Sequence, residues 1–189
     1  STSGNGSFDN TGNENPVYTP GTDDITSGSV TLTMEAQPEG VCSAMDSDEM
    51  VLTVNALPEL NAGADATICE TDIHSLSATA TDYDVSSLSW STSGDGTFSD
   101  NAVLNPDYTP GDDDKTNGSV TLTMTAEGLS GCSGSFSDSK LVAIEPSPEA
   151  DAGADQNTCE GSNVTLDGTA SNYSSIEWST DGTGSFNNT

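Results

Sequence analysis

Trp90-Ser91-Thr92-Ser93-Gly94-Asp95-Gly96-Thr97-Phe98 decides the fold, because the same string returns on either side of it. Ser1-Thr2-Ser3-Gly4-Asn5-Gly6-Ser7-Phe8 stands ahead of it, and Trp178-Ser179-Thr180-Asp181-Gly182-Thr183-Gly184-Ser185-Phe186 behind it. Phe98 lies 90 residues after Phe8, and Phe186 lies 88 residues after Phe98. Such a period is the size of one small all-β domain and well above solenoid repeat lengths.

Further blocks keep the same phase. Asn15-Pro16-Val17-Tyr18-Thr19-Pro20-Gly21 returns as Asn105-Pro106-Asp107-Tyr108-Thr109-Pro110-Gly111, and Gly28-Ser29-Val30-Thr31-Leu32-Thr33-Met34 returns unchanged as 118–124. Asn61-Ala62-Gly63-Ala64-Asp65 reappears as Asp151-Ala152-Gly153-Ala154-Asp155. The Pro-containing joints Ala56-Leu57-Pro58-Glu59 and Glu145-Pro146-Ser147-Pro148-Glu149 set the boundaries. Residues 1–55 are then the back half of one repeat, 56–145 a complete repeat, and 146–189 the front half of a third. The expectation is a window on a longer array. The alternative is a subunit whose residues 146–189 complete residues 1–55 of a neighbour by strand complementation, giving a head-to-tail polymer.

Within 56–145 the apolar residues alternate as strands require. Asn61 to Ile68 is expected as a short edge strand, and His74, Leu76, Ala78 and Ala80 share one phase of a second. Leu88 and Trp90 alternate with Ser89 in a third, whose inward Trp anchors the core. Gly94-Asp95-Gly96 reads as a hairpin turn with positive-φ glycines, and the prolines around Tyr108 place that segment at an edge. Val120, Leu122, Met124 and Ala126 face in while Thr121, Thr123 and Thr125 face out. Lys140, Val142 and Ile144 form the last strand, matching Met50, Leu52 and Val54. About seven strands follow, with no helical periodicity. The expected core residues are Trp90, Trp178, Phe98, Tyr108 and Leu122.

Charge narrows the partners. With 31 Asp and Glu against two Lys, the formal net charge is −29. Nucleic-acid backbones and anionic membrane surfaces repel such a chain, so neither is an expected partner. No apolar run approaches the ~20 residues of a spanning helix.

Carboxylates cluster at Asp112-Asp113-Asp114 and at the equivalent Asp23-Asp24. Hard oxygens in a flexible loop are what Ca²⁺ binds, so these five are the candidate calcium ligands, although their spacing matches no EF-hand and a solvated turn explains them equally. A second candidate set lies at the joints: Asp65, Glu70, Asp72, Glu59 and Asp138. No catalytic site assembles, because nucleophilic hydrolysis needs a base beside the nucleophile and His74, the only histidine, is Val164 in the next copy. Cys42 and Cys132 are equivalent, as are Cys69 and Cys159. One pair per repeat reads as a disulfide in an exported protein. Within the complete repeat the pair is Cys69 with Cys132, and a bridge between adjacent domains is the competing connectivity.

The blocks just quoted, with Ala152-Gly153-Ala154-Asp155-Gln156-Asn157-Thr158-Cys159-Glu160-Gly161 through Trp178, resemble the PKD-like and immunoglobulin-like repeats of secreted Bacteroidetes proteins. Taken together they most resemble the tandem repeats of giant cell-surface adhesins of the gliding-motility type. The resemblance implies immunoglobulin-like or PKD-like β-sandwich domains of about 90 residues, a location outside the cell at its surface, and service as a stalk or filament. The partners it implies are neighbouring repeats and other copies in a filament. It carries over no catalytic residue. A carbohydrate- or calcium-dependent binding or spacer module of a secreted enzyme is the alternative function.

Overall fold

The computed structural model describes residues 1–187. Strands dominate, and the fold is all-β apart from two single-turn helices and one 3₁₀ turn. In chain order, residues 1–55 form β1 (Ser7–Phe8), β2 (Tyr18–Thr19), α1 (Thr22–Ser27), β3 (Ser29–Ala36) and β4 (Asp46–Thr53). The middle of the chain forms β5 (Glu59–Asn61), β6 (Ala66–Cys69), β7 (His74–Ser75), β8 (Thr79–Thr81), the 3₁₀ turn Val85–Ser87 and β9 (Ser89–Thr92). It continues through β10 (Thr97–Phe98), β11 (Asp107–Thr109), α2 (Asp112–Asn117), β12 (Ser119–Glu127) and β13 (Ser135–Glu145). Last come β14 (Glu149–Asp151) and β15 (Thr169–Ser171).

Two sheets organise the middle segment. One has the order β6-β13-β12-β9, with β6 parallel to β13 and the other pairs antiparallel. The other has the order β10-β11-β7, and the two-stranded β5-β8 sheet continues from its third strand along the chain. Period-two alternation does the sorting. On β12, Val120, Leu122, Met124 and Ala126 are all buried and the residues between them are not. On β13, Lys140, Val142 and Ile144 follow the same phase. The apolar ones among these side chains join Leu76, Ala78, Leu88, Trp90 and Tyr108 in one cluster. Each buried large apolar side chain there stabilises by roughly 1.5–3 kcal/mol.

Four expectations need correction. Asn61 to Ile68 is not one strand: β5 pairs with β8, and β6 joins β13 in the other sheet. Gly94-Asp95-Gly96 does not close a hairpin either. β9 pairs with β12 and β10 with β11, so this segment carries the chain from one sheet to the other. Neither glycine has a positive φ. They are required because a Cβ at Gly94 would fall on the Asp114 carboxylate and one at Gly96 on the Tyr108 hydroxyl. The strand around Tyr108 is not an edge: β11 has a partner on each side, and Pro106 and Pro110 stand just outside the three residues that pair. Finally, the Asp runs lie in α1 and α2, helices too short to show periodicity. Their punctuation was present in the sequence as acidic first turns and closing glycines, Gly28 and Gly118, at φ 73° and 71°.

Candidate functional site

The most constrained cluster is a polar latch at the foot of α2. Asp114 is buried, and its Oδ2 accepts the Tyr108 hydroxyl at 2.6 Å, the Gly111 N–H at 3.0 Å and the Gly96 N–H at 3.1 Å. A buried carboxylate is tolerated when its acceptor capacity is filled in this way. The Tyr108 proton is committed to Asp114, so the 2.9 Å contact with Thr92 Oγ1 has threonine as donor. Asp95 completes the arrangement from the crossing segment, its Oδ1 accepting the N–H groups of Asp113 and Asp114 at 3.1 and 3.2 Å. Three separated stretches of sequence are thereby tied at one point. Burial and the Asp114 carboxylate push the Tyr108 hydroxyl well above the ordinary tyrosine range. The donated N–H groups, led by Asp113, hold Asp95 low.

Residues 1–55 carry the same latch 90 positions earlier. Asp24 accepts the Tyr18 hydroxyl at 2.7 Å, the Gly21 N–H at 2.9 Å and the Asn5 N–H at 3.2 Å. Asn5 Oδ1 accepts Asp23 N–H at 3.1 Å, as Asp95 does for Asp113. The Tyr18 hydroxyl, ahead of the backbone donors, lowers Asp24. The aromatic packing recurs as well. Phe8 and Tyr18 rings lie 4.9 Å apart at 55°, Phe98 and Tyr108 5.0 Å apart at 54°. Trp90 and Phe98 lie 6.1 Å apart at 37°, Trp178 and Phe186 6.4 Å apart at 36°.

Of the candidate calcium ligands, then, Asp24 and Asp114 turn inward as latches, while Asp23, Asp112 and Asp113 stand exposed on the helices. Lys115 pairs with Asp112 at 3.7 Å. The second set is dispersed among backbone donors: Asp65 accepts Leu141 N–H, Asp138 accepts Ala62 N–H, and Glu70 accepts Ser147 N–H. Asp72 accepts Cys69 N–H, and Glu59 lies exposed on β5. Among the described residues, no three His, Cys, Asp or Glu side chains converge as a cation site. Of the expected core, Trp90, Tyr108 and Leu122 are fully buried, Phe98 packs against them, and Trp178 is 39% exposed.

The expected Cys69–Cys132 disulfide does not form, and both thiols are free. Cys69 is in register with Glu145 at the end of β13, whereas Cys132 lies three residues before its start. A strand of that length spans about 33 Å, and a disulfide needs Cα atoms roughly 4.4–6.8 Å apart.

One part-buried pair escaped sequence reading. Lys140 Nζ donates to His74 Nε2 at 3.0 Å, and Lys140 is 5% exposed. Burial, with the lysine charge added, holds His74 below the ordinary histidine range; burial lowers Lys140 too, against the opposing pull of Asp65. The signal lay in the repeat comparison, since positions 74 and 140 are Val164 and Met50 in the neighbouring copies. No family model matches the chain, and no curated protein is similar to it.

Proposed function

We propose that this chain is a non-enzymatic structural module: tandem immunoglobulin-like or PKD-like β-sandwich repeats forming the shaft of a long extracellular adhesin or surface filament. The observation that carries the reading is the duplicated latch. The same tyrosine, aspartate and helix-capping glycine meet in residues 1–55 and in 91–145, and β3 pairs β4 in the register by which β12 pairs β13. Chemistry follows from the same geometry. The most buried polar groups are saturated by one another, so their work is to hold strands together under load. With strands rising ~3.3 Å per residue and loops added, each repeat is a bead of roughly 35–45 Å, and the Pro-containing joints restrict bending. Mutual repulsion at −29 extends the array at low salt.

Electron microscopy of native, unproteolysed material tests this. A thin fibre with a bead every four nanometres or so is expected from the strand rise. Short particles attached to a larger globular body would instead favour a spacer of a secreted enzyme.

A head-to-tail polymer of this chain is the second reading, favoured by the surface of residues 146–187. Leu166, Ile176 and Trp178 are exposed there, whereas their counterparts Leu76, Leu88 and Trp90 are buried against β12 and its neighbours. Residues 1–55 of a second copy offer the missing strands. Light scattering on the isolated chain decides: growth of mass with concentration supports the polymer, and a concentration-independent monomer rejects it.

A further inference from the structure

The cysteines stand at the two ends of the repeat, each against a joint. Cys69 Sγ lies 3.4 Å from Ser147 Oγ, just beyond the end of β13. Cys132 Sγ lies 3.4 Å from the Asn55 carbonyl oxygen and 3.6 Å from that of Ala56, in the joint that precedes the repeat. Positions 55 and 56 correspond to Glu145 and Pro146, 90 residues later. Carried across by that equivalence, the Cys132-type thiol of the following repeat rests on the Glu145 and Pro146 carbonyls. These two residues immediately precede Ser147, and Glu145 is itself the register partner of Cys69. On that equivalence both thiols meet the chain at residues 145–147.

We propose that successive repeats are joined by a disulfide across each joint, between the Cys69-type cysteine of one repeat and the Cys132-type cysteine of the next. This rests on the reading of the chain as part of a tandem array. Hydrogen bonding by Ser147, and then by Thr71, holds the Cys69 thiol below the ordinary cysteine range and so raises the share of the attacking thiolate. In the bond-forming step two thiols become one S–S bond; two electrons and two protons pass to a disulfide oxidant such as oxidised glutathione, which leaves as two thiols. The result is a second covalent connection beside a single-chain joint, which stiffens it against bending and pulling.

The test uses two copies of the chain joined in frame, Trp178 of the first followed by Ser1 of the second, so that a complete repeat lies between two joints. After equilibration in a glutathione buffer, non-reducing peptide mapping is expected to find Cys69 bonded to the second copy's Cys42, and Cys159 to the second copy's Cys132. Half of the thiols then resist alkylation. Cys69→Ser should remove the first bridge and leave the second. A Cys69–Cys132 bridge within one repeat, or full alkylation while Trp178 fluoresces as a buried residue, overturns the proposal. If Trp178 continues to emit as a water-exposed residue, the repeat has not closed; the array reading fails, and the bridge fails with it.

Discussion

Tyr108→Phe isolates the latch. The substitution removes one hydroxyl from a fully buried ring and leaves the aromatic packing with Phe98 in place. What disappears is the 2.6 Å bond to Asp114 and the 2.9 Å bond from Thr92. Asp114 keeps two backbone donors, Gly96 and Gly111, so its carboxylate is weakened rather than abandoned. Hydrogen bonds to charged groups contribute about 1.5–3 kcal/mol, and the lost threonine contact adds little because its hydroxyl can rotate. At roughly 4–8 °C per kcal/mol for a domain of this size, the melting temperature should fall by about 6–24 °C. The assay is calorimetry or urea unfolding followed by circular dichroism, since Trp178 would contaminate a fluorescence signal. Tyr18→Phe is the internal comparison: it loses the equivalent bond at 2.7 Å, but Tyr18 is only half-buried and water can replace the lost donor. Its cost should be clearly smaller. A Tyr108→Phe loss below ~0.5 kcal/mol, or equal losses at the two sites, would refute the argument that burial gives the latch its strength.

Trp90→Ala should cost about 3–5 kcal/mol, a large part of the stability of a small domain, and a melting temperature that barely moved would remove Trp90 from the core. Gly96→Ala should destabilise by roughly 1–3 kcal/mol through overpacking against the Tyr108 hydroxyl, and Tyr108→Phe in the same chain should relieve part of it, as a double-mutant cycle would measure. His74 has its pKa depressed in the fold, so the stability it contributes is complete above its unfolded value of about 6.5 and is lost as pH falls through the folded value. An NMR titration should find the folded value below 6.5, and Lys140→Met should raise it. Asp24, Asp95 and Glu70 are likewise held low, so stability should decline as pH drops below about 4, the unfolded carboxylate range, and urea midpoints across pH 2–6 check that.

Much of this molecule was legible in one dimension. The alternation along 119–127 and 135–145 names the buried residues because a strand places neighbours on opposite faces whatever it pairs with. Trp90, Leu122 and Tyr108 declared themselves as core by the same local logic, and the repeat itself needs nothing beyond string comparison. Partner choice is different, because it is fixed by contacts distant in sequence. Whether Gly94-Asp95-Gly96 turns a hairpin or crosses between sheets depends on β12 lying beside β9, and on Asp114 arriving where a Cβ would otherwise sit. Whether an Asp run is a solvated turn, a cation ligand or a buried latch depends on which donors converge on it, and the backbone N–H groups of Gly96 and Gly111 leave no mark in a sequence. Two cysteines per repeat read, in sequence, as a Cys69–Cys132 disulfide, and the structure holds both as free thiols. The length of β13 keeps Cys69 and Cys132 from pairing with each other, because an extended strand holds its two ends far apart.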